Sequence, residues 1–204
     1  MLLSLTACGT DGYTPCTGDL LFQLTASEGM TDAIVSATGG DADVPFSHVG
    51  IVEVTADGPQ VIEAIGTSVR RTPLDEFLAR SACREDRPLV AAGRVRDADS
   101  ALVARAMQRA RERVGLPYDD DFLPDNGKLY CSELVWECFL AVDDSTHLLR
   151  SRPMNFRAPD GSMPDYWTEH FAARGMAVPE GISGTNPADL SRDPGVEIVR
   201  YFYR

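Results

Sequence analysis

The chain has 204 residues, an ordinary apolar share of 44%, a formal charge of −12, and only three histidines and five cysteines. That length gives one domain room for a core that stands without metal or disulfide staples. The acidic excess argues against a nucleic-acid partner, whose phosphates need a basic face; Arg70-Arg71 and the arginines between 105 and 113 offer a local basic patch at most.

The first residues, Met1-Leu2-Leu3-Ser4-Leu5-Thr6-Ala7-Cys8, end in a stretch that resembles a bacterial lipobox, with Cys8 as the lipidation site. The apolar run before it is short and lacks a basic start, so a ragged apolar terminus is the competing reading. No other stretch approaches the roughly 20 apolar residues of a membrane span. Residues 1–17 are accordingly read as a leader and tether, and 18–204 as a single domain.

Gly18–Leu24 reads as a first strand, followed by a small-residue, polar region with a short helix around Thr31–Ser36. His48–Val54 and Gln60–Ile65 are β-branched and apolar around Asp57-Gly58, a hairpin pattern. Ser68–Thr72 reads as a strand, Pro73 opens a helix, and Leu89–Val95 is strand-like. Asp97–Val114 is an amphipathic helix with an arginine-rich face read as solvated, ended by Gly115-Leu116-Pro117-Tyr118. A loop with three aspartates then leads to an apolar helix over about Cys131–Val142. The proline- and glycine-rich stretch 151–191 wraps the surface around a helix near Tyr166–Arg174, and Glu197–Tyr203 alternates as a last strand. The fold class is α+β.

Cys131 stands where the polar loop becomes the helix, so its sulfur meets unpaired N–H groups and the positive end of the helix dipole, which favour a thiolate. His48, at the mouth of a strand in Phe46-Ser47-His48-Val49-Gly50, is the natural base for it. Glu63 interrupts the apolar run Val61-Ile62-Glu63-Ala64, where a carboxylate needs a partner, and is the candidate to orient the imidazole. A two-residue Asp57-Gly58 turn pairs Glu63 with Val52, on the face of His48 but four residues away, so their meeting requires an offset loop or a bulge. Cys138 reads as a small core residue, as do Trp136 and Phe139; His147 and His170 read as surface residues. An exported compartment permits a Cys16–Cys83 disulfide without requiring one. No Cys/His set has zinc spacing, and Asp119–Asp121 lacks the spaced ligands of a calcium loop, so no metal or cofactor is expected.

Taken in order, Gly18-Asp19-Leu20-Leu21-Phe22, Ser47-His48-Val49-Gly50-Ile51, Val61-Ile62-Glu63-Ala64, Tyr130-Cys131-Ser132-Glu133-Leu134-Val135 and Gly184-Thr185-Asn186-Pro187-Ala188-Asp189-Leu190 form a set that resembles the YiiX/YaeF branch of the NlpC/P60 superfamily, whose members are circularly permuted papain-like proteins. The resemblance spans about residues 18–191. It implies a small antiparallel sheet or open barrel packed on the cysteine helix, with Cys131 as nucleophile, His48 as base and Glu63 as third polar residue. It also places Tyr130 beside the nucleophile, as an oxyanion or substrate-positioning group or as an aromatic packed under the helix start. Tyr118 either lines the cleft or belongs to a loop cap. The implied activity is a cysteine amidase or peptidase of the bacterial cell envelope, acting on peptide, peptidoglycan-fragment or lipid-like N-acyl amides, with membrane attachment through Cys8. A lipid acyl hydrolase or acyltransferase of the lecithin–retinol acyltransferase group is the alternative enzyme, and a non-catalytic lipid-anchored binding module the alternative to an enzyme.

Overall fold

Apolar residues on both sides of the strands bury one sheet between two layers. The computed structural model describes residues 12–26, 28–40, 43–141 and 143–204; the segment ending at Cys8 lies outside them. In chain order the elements are β1 (Leu20–Gln23), α1 (Gly29–Thr38), β2 (His48–Thr55), β3 (Gly58–Ile65), β4 (Ser68–Pro73), α2 (Leu74–Ala79), β5 (Cys83–Arg84), β6 (Arg87–Pro88), β7 (Val90–Val95), α3 (Ser100–Arg113), α4 (Cys131–Cys138), β8 (Arg152–Pro153), α5 (Asp165–Ala172), β9 (Ser183–Gly184), α6 (Pro187–Ser191) and β10 (Val196–Tyr201). The main sheet runs β10-β7-β1-β2-β3-β4, and all its pairs are antiparallel.

Side chains two apart share a sheet face. Leu20, Phe22, Val49, Ile51, Ile62 and Ala91 face one core, which holds Met107 and Ala110 of α3 and Leu134 and Val135 of α4. Leu21, Val52, Val61 and Val90 face the other, against Leu74, Phe77 and Leu78 of α2. A third, aromatic cluster joins Phe122, Tyr130, Phe156, Trp167 and Phe171 beside the cysteine helix.

Four details differ from the sequence reading. Tyr13 is buried in the second core and its hydroxyl donates to Asp19 at 2.8 Å, so the packed chain begins ahead of residue 18. The β2–β3 turn is Ala56-Asp57, with Thr55 opposite Gly58 and Gly58 at φ +114°. α4 stops at Cys138 because Phe139 leaves helical geometry and Arg109 of α3 donates to the carbonyls of Cys138 at 2.9 Å and Ala141 at 3.1 Å. Arg109 is therefore buried, an exception to the solvated arginine face. No disulfide joins Cys16 to Cys83, a pairing the sequence permitted without requiring. Among the described residues no helix is long and apolar enough to cross a membrane.

Candidate active site

The hairpin register decides where Glu63 goes. The pairs Val52↔Val61 and Ile51↔Ile62 bring Glu63 beside Gly50, two residues nearer His48 than an Asp57-Gly58 turn would. Gly50 makes that approach feasible: a Cβ there would lie 2.4 Å from Val61 Cγ1 and 3.2 Å from the Glu63 Cβ. His48 and Glu63 become diagonal neighbours on one face, within reach of long side chains. His48 Nε2 stands 2.5 Å from Glu63 Oε2.

Glu63 is fully buried and its second oxygen is also engaged. Arg80, the residue that closes α2, donates from Nη2 to Glu63 Oε1 at 2.5 Å, and its guanidinium lies 5.6 Å from the centre of the Phe77 ring. Phe77 in turn lies 5.8 Å from the His48 ring. Burial alone would raise the Glu63 carboxyl, but the hydrogen bond and charge of His48, with the charge of Arg80, hold it at about 2. An ionised Glu63 fixes the proton on His48 Nε2 and leaves Nδ1 for Cys131. Burial opposes charge on His48 as well; hydrogen bonds to Cys131 and to Glu63 outweigh it and raise His48 to about 9. The imidazolium is thus favoured between Cys131 and the Glu63 carboxylate.

Cys131 is the first residue of α4, with Tyr130 as N-cap in extended geometry (φ −92°, ψ 169°). The first-turn N–H groups, including that of Cys131, have no partner within the helix. Glu133, the acidic residue of the first turn, is buried.

Cys131 and His48 line one cleft of about 520 Å³, floored by the end of β3 and rimmed by hydroxyls of Thr25, Thr31, Ser47 and Ser81. A smaller apolar pocket of about 60 Å³ lies on the other side of Cys131, against Phe122, Phe156 and Trp167. Tyr118 borders both spaces. Burial first, and then the charge of Cys131, push its hydroxyl well above the usual tyrosine range, so it stays a neutral donor. Asp119 steadies this loop by accepting from the N–H groups of Asp121 at 3.0 Å and Leu123 at 2.8 Å and from Asn126 Nδ2 at 3.0 Å. Tyr130 is placed differently. Its hydroxyl accepts from the Thr185 N–H at 3.1 Å and borders the small pocket rather than the cleft with His48, the arrangement of the packed aromatic.

Arg80 is the member that sequence reasoning missed; the only signal was that a buried Glu63 needs more than one partner. The remaining histidines are half-buried rather than surface groups: His147 stacks on Trp136 with ring centres 3.3 Å apart, and His170 Nε2 meets the Asp120 carbonyl at 2.7 Å.

The comparisons with known proteins agree with this architecture. Residues 14–200 match the family described as "Permuted papain-like amidase enzyme, YaeF/YiiX, C92 family". The uncharacterized protein YiiX of Escherichia coli K12 is 33% identical over 131 residues, which cover 62% of this chain and 58% of YiiX, so the match spans less than two thirds of that protein. A crystal structure titled as the metalloprotein yiiX from Escherichia coli O157:H7 shares the fold, with a TM-score of 0.75 and 24% identity over 94% of this chain and 100% of that one. The donor set here does not fit a metal: among the described residues no three or more His, Cys, Asp or Glu side chains are grouped to hold an ion. With a match from residue 14 to residue 200 and a sheet, helix and cleft arranged as described, the chain belongs to the YaeF/YiiX family of permuted papain-like amidases.

Proposed function

We propose that the protein is a cysteine amidase that opens an amide bond through an acyl-enzyme on Cys131. The observation that carries this reading is the position of His48, which lines one cleft with Cys131 and stands 2.5 Å from a buried carboxylate that Arg80 engages with its other oxygen. The Cys131 thiolate attacks the carbonyl carbon, and the oxyanion is met by the Cys131 backbone N–H and the Tyr118 hydroxyl. The imidazolium gives its proton to the departing amine; neutral His48 then takes a proton from water, which releases the acid and frees Cys131. Glu63 and Arg80 are positioning residues for that imidazole. The hydroxyl-rimmed cleft suits a peptide or N-acyl amide with groups that hydrogen-bond, and the lipobox-like Leu5–Cys8 stretch supports a site at the cell envelope.

The test is the rate of Cys131 alkylation by iodoacetamide from pH 4 to 10 in the native protein, with His48→Ala and Cys131→Ser as controls, alongside turnover of an aryl amide. Labelling followed by peptide mapping, which separates Cys131 from the exposed Cys16 and Cys83, is expected to show Cys131 reacting fastest and slowing markedly in His48→Ala, with turnover reduced about 10²- to 10⁴-fold. Because His48 is raised to about 9, its proton is present below that value; turnover should fall as pH rises through it. Alkylation, which needs no proton donor, should not share that fall. Labelling that ignores His48 would refute the dyad.

A further inference from the structure

The proposed mechanism leaves unused a second concavity, of about 420 Å³, on the far side of the cysteine helix. Glu133, two residues beyond Cys131, is turned about 200° around the helix from it and lines this space. Asp125 and Glu137 also line it, and no lysine or arginine does. Glu133 is only 7% exposed, and its Oε2 has no hydrogen-bond partner. Two more buried polar atoms on the same wall, Thr185 Oγ1 and His147 Nε2, are likewise unpartnered. His147 Nε2 is 3.9 Å from Glu137 Oε1, beyond hydrogen-bond reach.

Orphaned polar atoms in a buried wall each cost about 1–3 kcal/mol unless something pairs with them. All three atoms can accept a hydrogen bond and belong to residues lining one pocket of acidic sign, so a donor-rich cation would satisfy them. A metal ion does not fit, since no group of three or more such ligands is formed among the described residues. A primary ammonium does, with three N–H donors and a full charge. We propose that this pocket is a binding site for a small organic ammonium ion, with Glu133 as its anionic partner and Thr185 and His147 as further acceptors. It shares Tyr130 and Thr185 with the small pocket beside Cys131 but not the cleft that holds His48.

Occupancy carries a proton signature. Burial, followed by the charge of Asp119 and then those of Glu137 and Asp125, raises the Glu133 carboxyl to about 8, against the lowering effect of the Tyr130 backbone. Arg113 offsets Glu137, with which it pairs at 3.1 Å. At neutral pH the empty site therefore holds Glu133 as the acid. An incoming ammonium pairs with the carboxylate, and the carboxyl proton leaves to buffer.

The experiment is calorimetric titration of the full chain with 1,4-diaminobutane at pH 7, in two buffers of different ionisation enthalpy, with sodium chloride and 1-butanol as controls. Saturable 1:1 binding with proton release is expected, unchanged by prior alkylation of Cys131 and at least tenfold weaker in Glu133→Gln. Thr185→Val is the second variant, expected to weaken binding several-fold, and circular dichroism checks that both fold. The site is overturned by binding that does not saturate, by Glu133→Gln and Thr185→Val both binding like the native protein, by loss of binding on Cys131 alkylation, which places the amine in the cleft, or by Zn²⁺ displacing the amine stoichiometrically, which makes it a metal site.

Discussion

Glu63 holds His48 with one oxygen and Arg80 with the other, each at 2.5 Å, with no exposure of its own. Its folded value of about 2 lies below the ordinary 4.5, so the carboxylate's contribution to stability is present above about pH 4.5 and is lost as pH falls toward 2. A shift of that size corresponds to a contribution on the order of 3 kcal/mol. Urea unfolding of Glu63→Gln between pH 7 and pH 2 should therefore show a flatter acid limb than the native chain; parallel limbs would contradict the pairing. Cys131 and His48 were legible because each sits in a local pattern, a loop-to-helix junction and a strand mouth. Arg80 was not, since nothing near it in the chain marks it, and its role comes from Glu63, seventeen residues earlier.

The β2–β3 hairpin sets the distance between His48 and Glu63, and its register turned on one feature that sequence left open. Asp57-Gly58 carries turn chemistry, yet the chain turns at Ala56-Asp57, with Thr55 Oγ1 donating to the Gly58 carbonyl at 2.8 Å and accepting from the Asp57 N–H at 3.2 Å. That one-residue move of the turn shifts the pairing by two residues and so preserves the face of every side chain, which is why the strands and their buried residues were readable while the pairing of Glu63 was not. Gly50→Ala should cost about 1–3 kcal/mol, because the new methyl meets stiff Val61 and the Ile62 carbonyl as well as Glu63. It should also lower turnover by moving Glu63 from His48. Thermal melting with a kinetic assay checks both, and an unaffected Gly50→Ala enzyme would refute the close approach. The length of α4 illustrates another limit: the apolar run continues past Cys138, and the helix ends there because a distant arginine takes its carbonyls. By contrast, the cap of α6 was written locally in Asn186-Pro187, where the Asn186 side chain accepts from the Asp189 N–H at 2.8 Å, and was read only as a family motif.

At the scale of the whole molecule, the start of the packed chain is tied across the sheet through Asp19. This buried carboxylate accepts from Tyr13 at 2.8 Å, from the Cys16 N–H at 3.0 Å and from Arg94 of β7 at 2.7 and 3.1 Å. A chain begun at Gly18 loses Tyr13 from the core and should be less stable by about 3 kcal/mol than one begun at Gly12, as read by denaturant midpoint. Equal midpoints would show that residues 12–17 are a passive tether. The order of residues along the chain bears on how reactivity is acquired. His48, Glu63 and Arg80 fall within residues 48–80, on adjacent strands and the helix that follows, whereas the thiol arrives on a helix that starts at residue 131. During synthesis the imidazole and its supports are made, and can pair, before Cys131 is present. Until α4 docks, Cys131 lacks the imidazole beside it, so under the proposed mechanism its activation waits on that docking.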